Sequence, residues 1–288
     1  MIGRVRGLLV SMVSASACGF NPAMLASDTP DPPLADGPGS SDPGPAWGAP
    51  TELFVDTGDH DPTLTGDMLE LYFDDGSDIW LIARTNTSAT WSAATQVTAL
   101  DTTSIERTPE ISRDGLTMYF ASNRSVGDDT HIWVSTRPMR MMPWTTPMLV
   151  TSLGSTHTDC SSAPSADGAT MVLNWDEQQS HDDDIYESTR SGVSWTEPAA
   201  LASVNSSFDD DNPMLSDDEL SLYFDSARSG DGHHHLYMAT RSSPGAMFGT
   251  PVQLDETSPF SDERAPWISS DGHTLVFESN GMIYGVSR

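Results

Sequence analysis

The hydrophobic positions of this chain come in short runs set between Gly, Asp and Ser, and the runs read as strands. The pattern repeats five times. The copies are DPTLTGDMLELYFDDGSDIWLIART from Asp61, TPEISRDGLTMYFASNRSVGDDTHIWVSTR from Thr108, APSADGATMVLNWDEQQSHDDDIYESTR from Ala163, NPMLSDDELSLYFDSARSGDGHHHLYMATR from Asn212 and APWISSDGHTLVFESNGMIYGVSR from Ala265. Each copy gives a strand led by an anchor proline (Pro62, Pro109, Pro164, Pro213, Pro266), a turn, a second strand, a variable loop and a third strand ending in Arg. A fourth segment follows, opened by Trp91, Trp144, Trp195 or Phe248 with Leu or Val six positions on. Four strands in a period of about fifty residues is the signature of one β-propeller blade.

The fifth copy stops at Arg288 without a fourth strand, while an unattached one, Trp47 to Leu53, precedes the first copy. The expected fold is therefore all-β: a five-bladed propeller of four-stranded antiparallel blades over residues 47–288, with the amino-terminal strand joining the last blade. That join hides two sheet edges that an open ring would expose.

Ahead of the propeller, residues 1–17 carry Arg4 and Arg6, an apolar stretch from Gly7 to Val13 and small residues through Ala17, the layout of a secretory signal. Ala15-Ser16-Ala17-Cys18 resembles a bacterial lipoprotein processing site, in which Cys18 is acylated; it lacks the usual Leu three positions before the cysteine, and it also suits ordinary signal cleavage. Residues 18–46 are rich in Pro, Gly, Ser and Asp and read as a disordered tether. Membrane attachment is expected only through a lipid.

Charge narrows the partners. All thirteen basic residues are Arg, against forty-two carboxylates. Such a surface repels nucleic acid and anionic lipid and favours basic partners or divalent cations, although solubility alone would also account for it.

Strand directions sort the repeat into two faces. On one lie the S-x-D-G turns and the arginines that end the third strands, for which pairs within each blade are expected: Asp67 with Arg84, Asp114 with Arg137, Asp167 with Arg190, Asp218 with Arg241, Asp271 with Arg288. The other face varies in length and chemistry, and loops on a rigid scaffold are where function usually sits. Its candidate ligand-binding residues, expected to ring the channel mouth, are Asp59, His60, Asp61, Glu106, Arg107, Asp159, Asp209, Asp210, Asp211, Asp262, Glu263 and Arg264. Clustered carboxylates there could chelate a hard cation such as Ca²⁺, although a solvated acidic rim has the same composition. No other cofactor is implied. In the run His233-His234-His235, alternation along a strand lets only His233 and His235 act together on a metal. Trp47, Trp91, Trp144, Trp195, Trp80 and Trp133 hold repeat-fixed positions and read as core; only Trp175 and Trp267 are free of that explanation and could stack on a sugar. Cys160 reads as a buried apolar residue.

No G-x-S-x-G elbow, H-E-x-x-H helix or phosphate loop is present, so an enzyme is not indicated. Five-bladed propellers do include glycoside hydrolases that work with channel carboxylates, which makes a carbohydrate-binding or hydrolytic propeller the alternative to a protein- or peptide-binding one.

The elements SRDGLTMYFASNR at Ser112 to Arg124 and LYFDSAR at Leu222 to Arg228, followed by Ile132-Trp133 or Leu236-Tyr237 and Thr-Arg, resemble the repeat of the TolB-type β-propeller family. The resemblance spans residues 47–288. It implies a bacterial envelope protein, periplasmic or lipid-anchored to the outer membrane, serving as a platform for protein interaction. The chain departs from TolB itself in having five repeats instead of six and no separate amino-terminal α/β domain. A monomer is expected.

Overall fold

The structure is a computed structural model that describes residues 46–54, 58, 60–125, 129–154, 159–175, 183–254 and 260–288. The signal, Cys18 and most of the tether lie outside the described residues.

Five antiparallel sheets form the ring, four of them built from consecutive strands and the fifth completed by the amino-terminal strand. The first contains β2 (His60–Leu64), β3 (Glu70–Asp74), β4 (Ile79–Ala83) and β5 (Thr95–Gln96). The second contains β6 (Glu106–Ile111), β7 (Thr117–Ser122), β8 (His131–Thr136) and β9 (Met148–Leu149). The third has β10 (Asp159–Pro164), β11 (Thr170–Trp175) and β12 (Asp184–Ser191), whose outer edge is shared by β13 (Ser194–Trp195) and β14 (Ala199–Ala200). The fourth is β15 (Asp210–Leu215), β16 (Ser221–Ser226), β17 (His235–Thr240) and β18 (Val252–Gln253). The fifth joins β19 (Arg264–Ile268), β20 (Thr274–Ser279) and β21 (Met282–Ser287) to β1 (Thr51–Phe54) from the amino end. Thr51 pairs with Gly285 and Glu52 with Tyr284, so the ring closes as the repeat predicts. Leu53 packs on Gly285, where a Cβ would come within 3.1 Å of its methyls.

The second strand of every blade is buried on both faces, because a neighbouring blade lies on either side. Leu71, Phe73, Met118, Phe120, Val172, Leu222, Phe224, Leu275 and Phe277 are all essentially inaccessible. Burying each such side chain contributes about 1.5–3 kcal/mol, which makes the stacking of blades the main source of stability.

The innermost strands β2, β6, β15 and β19 each bulge just before their proline. Asp61, Thr108, Asn212 and Ala265 take positive φ (46 to 50°), a costly conformation for residues with a Cβ. The proline that follows has no N–H for the ladder, so the strand turns its free amides sideways. The amide of Thr108 then donates to Asp74 Oδ2 of the preceding blade (2.9 Å), and that of Ala265 to Asp225 Oδ1 (2.9 Å). Blade three differs. Pro164 pairs with Met171, the register that Ile111 and Leu215 occupy opposite Met118 and Leu222, so Ser162 stands where the other blades place proline. Pro164 is thus not an anchor equivalent to Pro109, and among the described residues none in β10 takes a positive φ.

The turn aspartates do not follow the expected Asp–Arg pairing: among the described residues each is seen bonded to its own turn. Each turn aspartate caps its own turn, as Asp114 Oδ1 does by accepting from Ser112 Oγ (2.7 Å) and the Leu116 amide (2.9 Å). Each arginine instead lies flat over the aromatic that opens the fourth strand: Arg84 on Trp91 (4.2 Å), Arg137 on Trp144 (4.5 Å), Arg190 on Trp195 (4.8 Å), Arg241 on Phe248 (4.4 Å) and Arg288 on Trp47 (4.4 Å). Arg84, Arg137, Arg241 and Arg288 donate Nε to a turn carbonyl. The charge goes to the neighbouring blade, Arg137 to Glu70 and Arg241 to Glu187, so these residues staple one blade to the next. The recurring pair is arginine with aromatic; the turn serine leaves the aspartate little reason to reach outward.

Candidate functional site

The first strands of the blades stand side by side around a central channel. At the turn face, Arg113 of blade two reaches Asp217 of blade four (2.8 Å) and lies over Trp267 of blade five (4.9 Å). Neither blade is its neighbour, so the side chain spans the axis. Just above, Glu110 accepts from Thr63 Oγ1 (3.0 Å), and burial pushes its carboxyl up to about 8. Sequence reasoning passed over both residues because they break the repeat rather than follow it.

At the opposite face the acids gather. Asp209 precedes β15 and Asp211 lies within it; His234 precedes β17, and Asp225 sits near the end of β16. Donor atoms of Asp209, Asp211 and His234 all lie within 4.8 Å of one another. His234 Nδ1 is 2.7 Å from Asp225 Oδ2, which leaves Nε2 facing Asp209 Oδ2 at 4.0 Å. Asp211 is buried, its Oδ1 accepting from Asn174 Nδ2 (2.7 Å). Burial, with the charges of Asp183, Asp225 and Asp209 around it, holds its carboxyl well above the usual range. Asp225, by contrast, is held low by its bond to the imidazole despite burial.

The other sequence candidates divide. Asp61 lies at the channel wall, where burial raises its carboxyl against the pull of His60. Arg264 is 3.4 Å from Asp262, and the charges of Asp225, Asp262 and Asp211 keep its guanidinium protonated in spite of burial. Glu106 and Asp210 start their strands at equivalent positions and are fully buried, each holding an arginine two residues beyond the second strand: Arg124 (3.0 Å) and Arg228. Glu263, in the same position, lies near His235 (3.7 Å). Arg107 donates to the Gly76 carbonyl (2.6 Å). Asp59 and the side chains of Asp159 and Cys160 lie outside the described residues.

His234, not His233 or His235, is the histidine of the cluster. It precedes β17, so strand alternation does not govern it, while His235 turns to Asp231 (3.0 Å). Asp225 carries a readable signal: the second strands end in Asp74, Asp225 and Glu278 at one repeat position. Trp175 and Trp267 are both buried, one against Tyr186 (4.9 Å) and one under Arg113, and offer no stacking face.

The raised acids set a pH dependence. Burial lifts Glu110 to about 8 and Glu278 to about 7, and Asp78 rises to about 6 through burial and its contact with Asp101. Between about pH 4.5 and 8 the folded chain keeps protons that the unfolded chain releases, so stability falls as pH rises. At lower pH the opposite group takes over. Asp67 is held low by Arg140 and its turn bonds, and Asp167 and Asp271 by their turns, so stability is lost as pH falls through their range. Thermal unfolding should therefore show its highest Tm at about pH 4–5, and Glu110→Gln should raise Tm at pH 8 more than at pH 5. Equal gains at both would contradict the assignment.

No protein-family model matches the chain, and no curated protein matches it. Among solved structures, the fold is similar to an α-L-arabinofuranosidase from Podospora anserina (TM-score 0.56, 12% identity, 84% of this chain and 96% of that one). It is also similar to the catalytic domain of an α-L-arabinofuranosidase from Coprinopsis cinerea (TM-score 0.55, 11% identity, 84% and 96%). TolB from Acinetobacter baumannii matches with a TM-score of 0.50 at 16% identity over 81% of this chain; the match spans about half of that protein, 55%. The shared feature is the propeller.

Proposed function

We propose that the chain is a non-catalytic β-propeller of the bacterial cell envelope that holds a basic protein or peptide segment on its acidic loop face. The observation that carries this reading is the gathering of Asp61, Asp183, Asp209, Asp211, Asp225 and Asp262 around one channel mouth, against Arg264 and His234. Such a field attracts cations and steers a basic partner to one end of the ring. The signal-like residues 1–17, Cys18 and the repeat's resemblance to TolB-type propellers support export and a lipid tether.

A variant Asp209→Asn/Asp231→Asn/Asp262→Asn, with Asp231 taken from the β16–β17 loop of the same face, should lose partners captured from envelope extracts at low salt. A variant with the same charge change on the turn face, at Asp114, Asp167 and Asp218, should keep them. Equal capture by both variants would remove the loop face from the proposal.

The second reading, a carbohydrate-binding or glycoside-hydrolase-like propeller, is favoured by Glu110, a channel carboxyl that burial keeps protonated near neutral pH. A glycan array with and without chelator, together with a reducing-sugar assay, separates it from the first.

A further inference from the structure

We propose that Asp209, Asp211 and His234, all carried by blade four at its loop-face end, bind a divalent first-row transition ion of the zinc class. The site stands on its own geometry, whether or not a protein docks on the same face. Three observations support it. The donor atoms already lie within 4.8 Å of one another. Ligands bound at about 2.0–2.2 Å in a tetrahedral shell sit roughly 3.5 Å apart, so side-chain shifts of about 1 Å bring them onto one ion.

The second observation concerns Asp211. It is 2% exposed, its Oδ2 receives no N–H or hydroxyl donor among the described residues, and its carboxyl meets the Asp183 carboxyl, a contact that needs a shared proton or a cation. A buried carboxylate oxygen without a donor is costly, and the neighbouring carboxylates of Asp183, Asp209 and Asp225 add repulsion. A cation placed there answers both terms at once.

The third is the setting of His234. Its Nδ1 is held by the buried Asp225, whose other oxygen accepts from Asn212 Nδ2 (2.9 Å) and the Ala265 amide (2.9 Å). That support leaves Nε2 toward Asp209, as a carboxylate behind a metal-bound imidazole does. Asp225 is thereby a positioning residue. An imidazole beside carboxylates suits a transition ion better than Ca²⁺, which takes six to eight oxygens.

A second acidic group, Asp78, Asp101 and Glu106, has similar spacing but is already engaged. Glu106 accepts from Arg124, Thr102 and Ser122, Asp101 accepts from Gln96 Nε2 (3.2 Å), and no histidine joins the group.

The test is calorimetric titration of the full chain, without a histidine tag, by Zn²⁺, with Ca²⁺ as competitor and Co²⁺ as a spectroscopic probe. Expected are one saturable Zn²⁺ site, no displacement by a thousandfold excess of Ca²⁺, and a Co²⁺ absorption band that marks nitrogen and oxygen ligands. Asp211→Asn and His234→Gln should each weaken Zn²⁺ at least a hundredfold, and Asp225→Asn by about 10–100-fold. Asp101→Asn should leave it unchanged. Asp209→Asn, at a partly exposed position, should also weaken binding and covers the case in which a buried variant fails to fold. Absence of saturable binding, retained affinity in folded Asp209→Asn and His234→Gln, or equal competition by Ca²⁺ would overturn the site. Failure of the parent protein to capture any partner, with Zn²⁺ binding intact, would count against the proposed partner and not against the metal.

Discussion

Arg137→Ala should lower the stability of the propeller by about 3–5 kcal/mol, the range for breaking a buried ion pair and leaving one charge behind. Glu70 would be that charge: it is buried, receives Arg137 from the next blade and also accepts from Tyr72 Oη (2.9 Å). The same substitution removes the cover from Trp144 and a donor from the Gly115 carbonyl. For a domain of this size the loss corresponds to a fall in Tm of roughly 10 °C. Arg84→Ala is the comparison. It uncovers Trp91 but ends on backbone carbonyls alone, so its cost should be about 1 kcal/mol. A double-mutant cycle should find the coupling of Arg137 with Glu70 rather than with Asp114. A fully stable Arg137→Ala protein, or a larger coupling to Asp114, would refute the inter-blade staple.

Deleting residues 1–58 should be more damaging still, because it opens the ring. It removes the β1 ladder with β21, the Trp47 ring under Arg288, the Leu53 side chain on Gly285, and the bonds from Gly48 to Ser287 (2.8 Å) and from Gly58 to Gly281 (3.0 Å). Trp47 and Leu53, both partly buried, together account for about 2–3 kcal/mol of burial. The uncovered edge of β21 is a template for intermolecular pairing. The truncated chain should therefore melt well below the parent and form soluble oligomers, and a synthetic peptide of residues 46–58 should restore part of the lost Tm. A truncated protein that stays monomeric with an unchanged Tm would show that closure contributes nothing.

Much of this architecture is legible in the sequence because a blade strand squeezed between two others must be apolar throughout, and the LYF (twice), MYF, MVL and LVF runs say so five times over. Ring closure is legible for the same reason: a missing strand at one end and a spare one at the other have one mutual solution. Pairing within the repeat is less visible. Spacing places Asp114 and Arg137 on one rim, but not that Ser112 satisfies the aspartate while Glu70 of the preceding blade takes the arginine. Pro164 misleads for a related reason, since a proline two residues out of register still begins a strand-like word. The acidic mouth can be placed on the correct face from strand directions alone. Its focus on Asp211 and His234 cannot, because Asp225, Asn174 and Asp183 come from three separate segments that only the tertiary fold assembles.

Arg113 has a mechanical implication. With its guanidinium resting on Asp217 and Trp267, the side chain lies across the turn-face end of the axial lumen, so a ligand that follows the axis is expected to approach from the carboxylate rim.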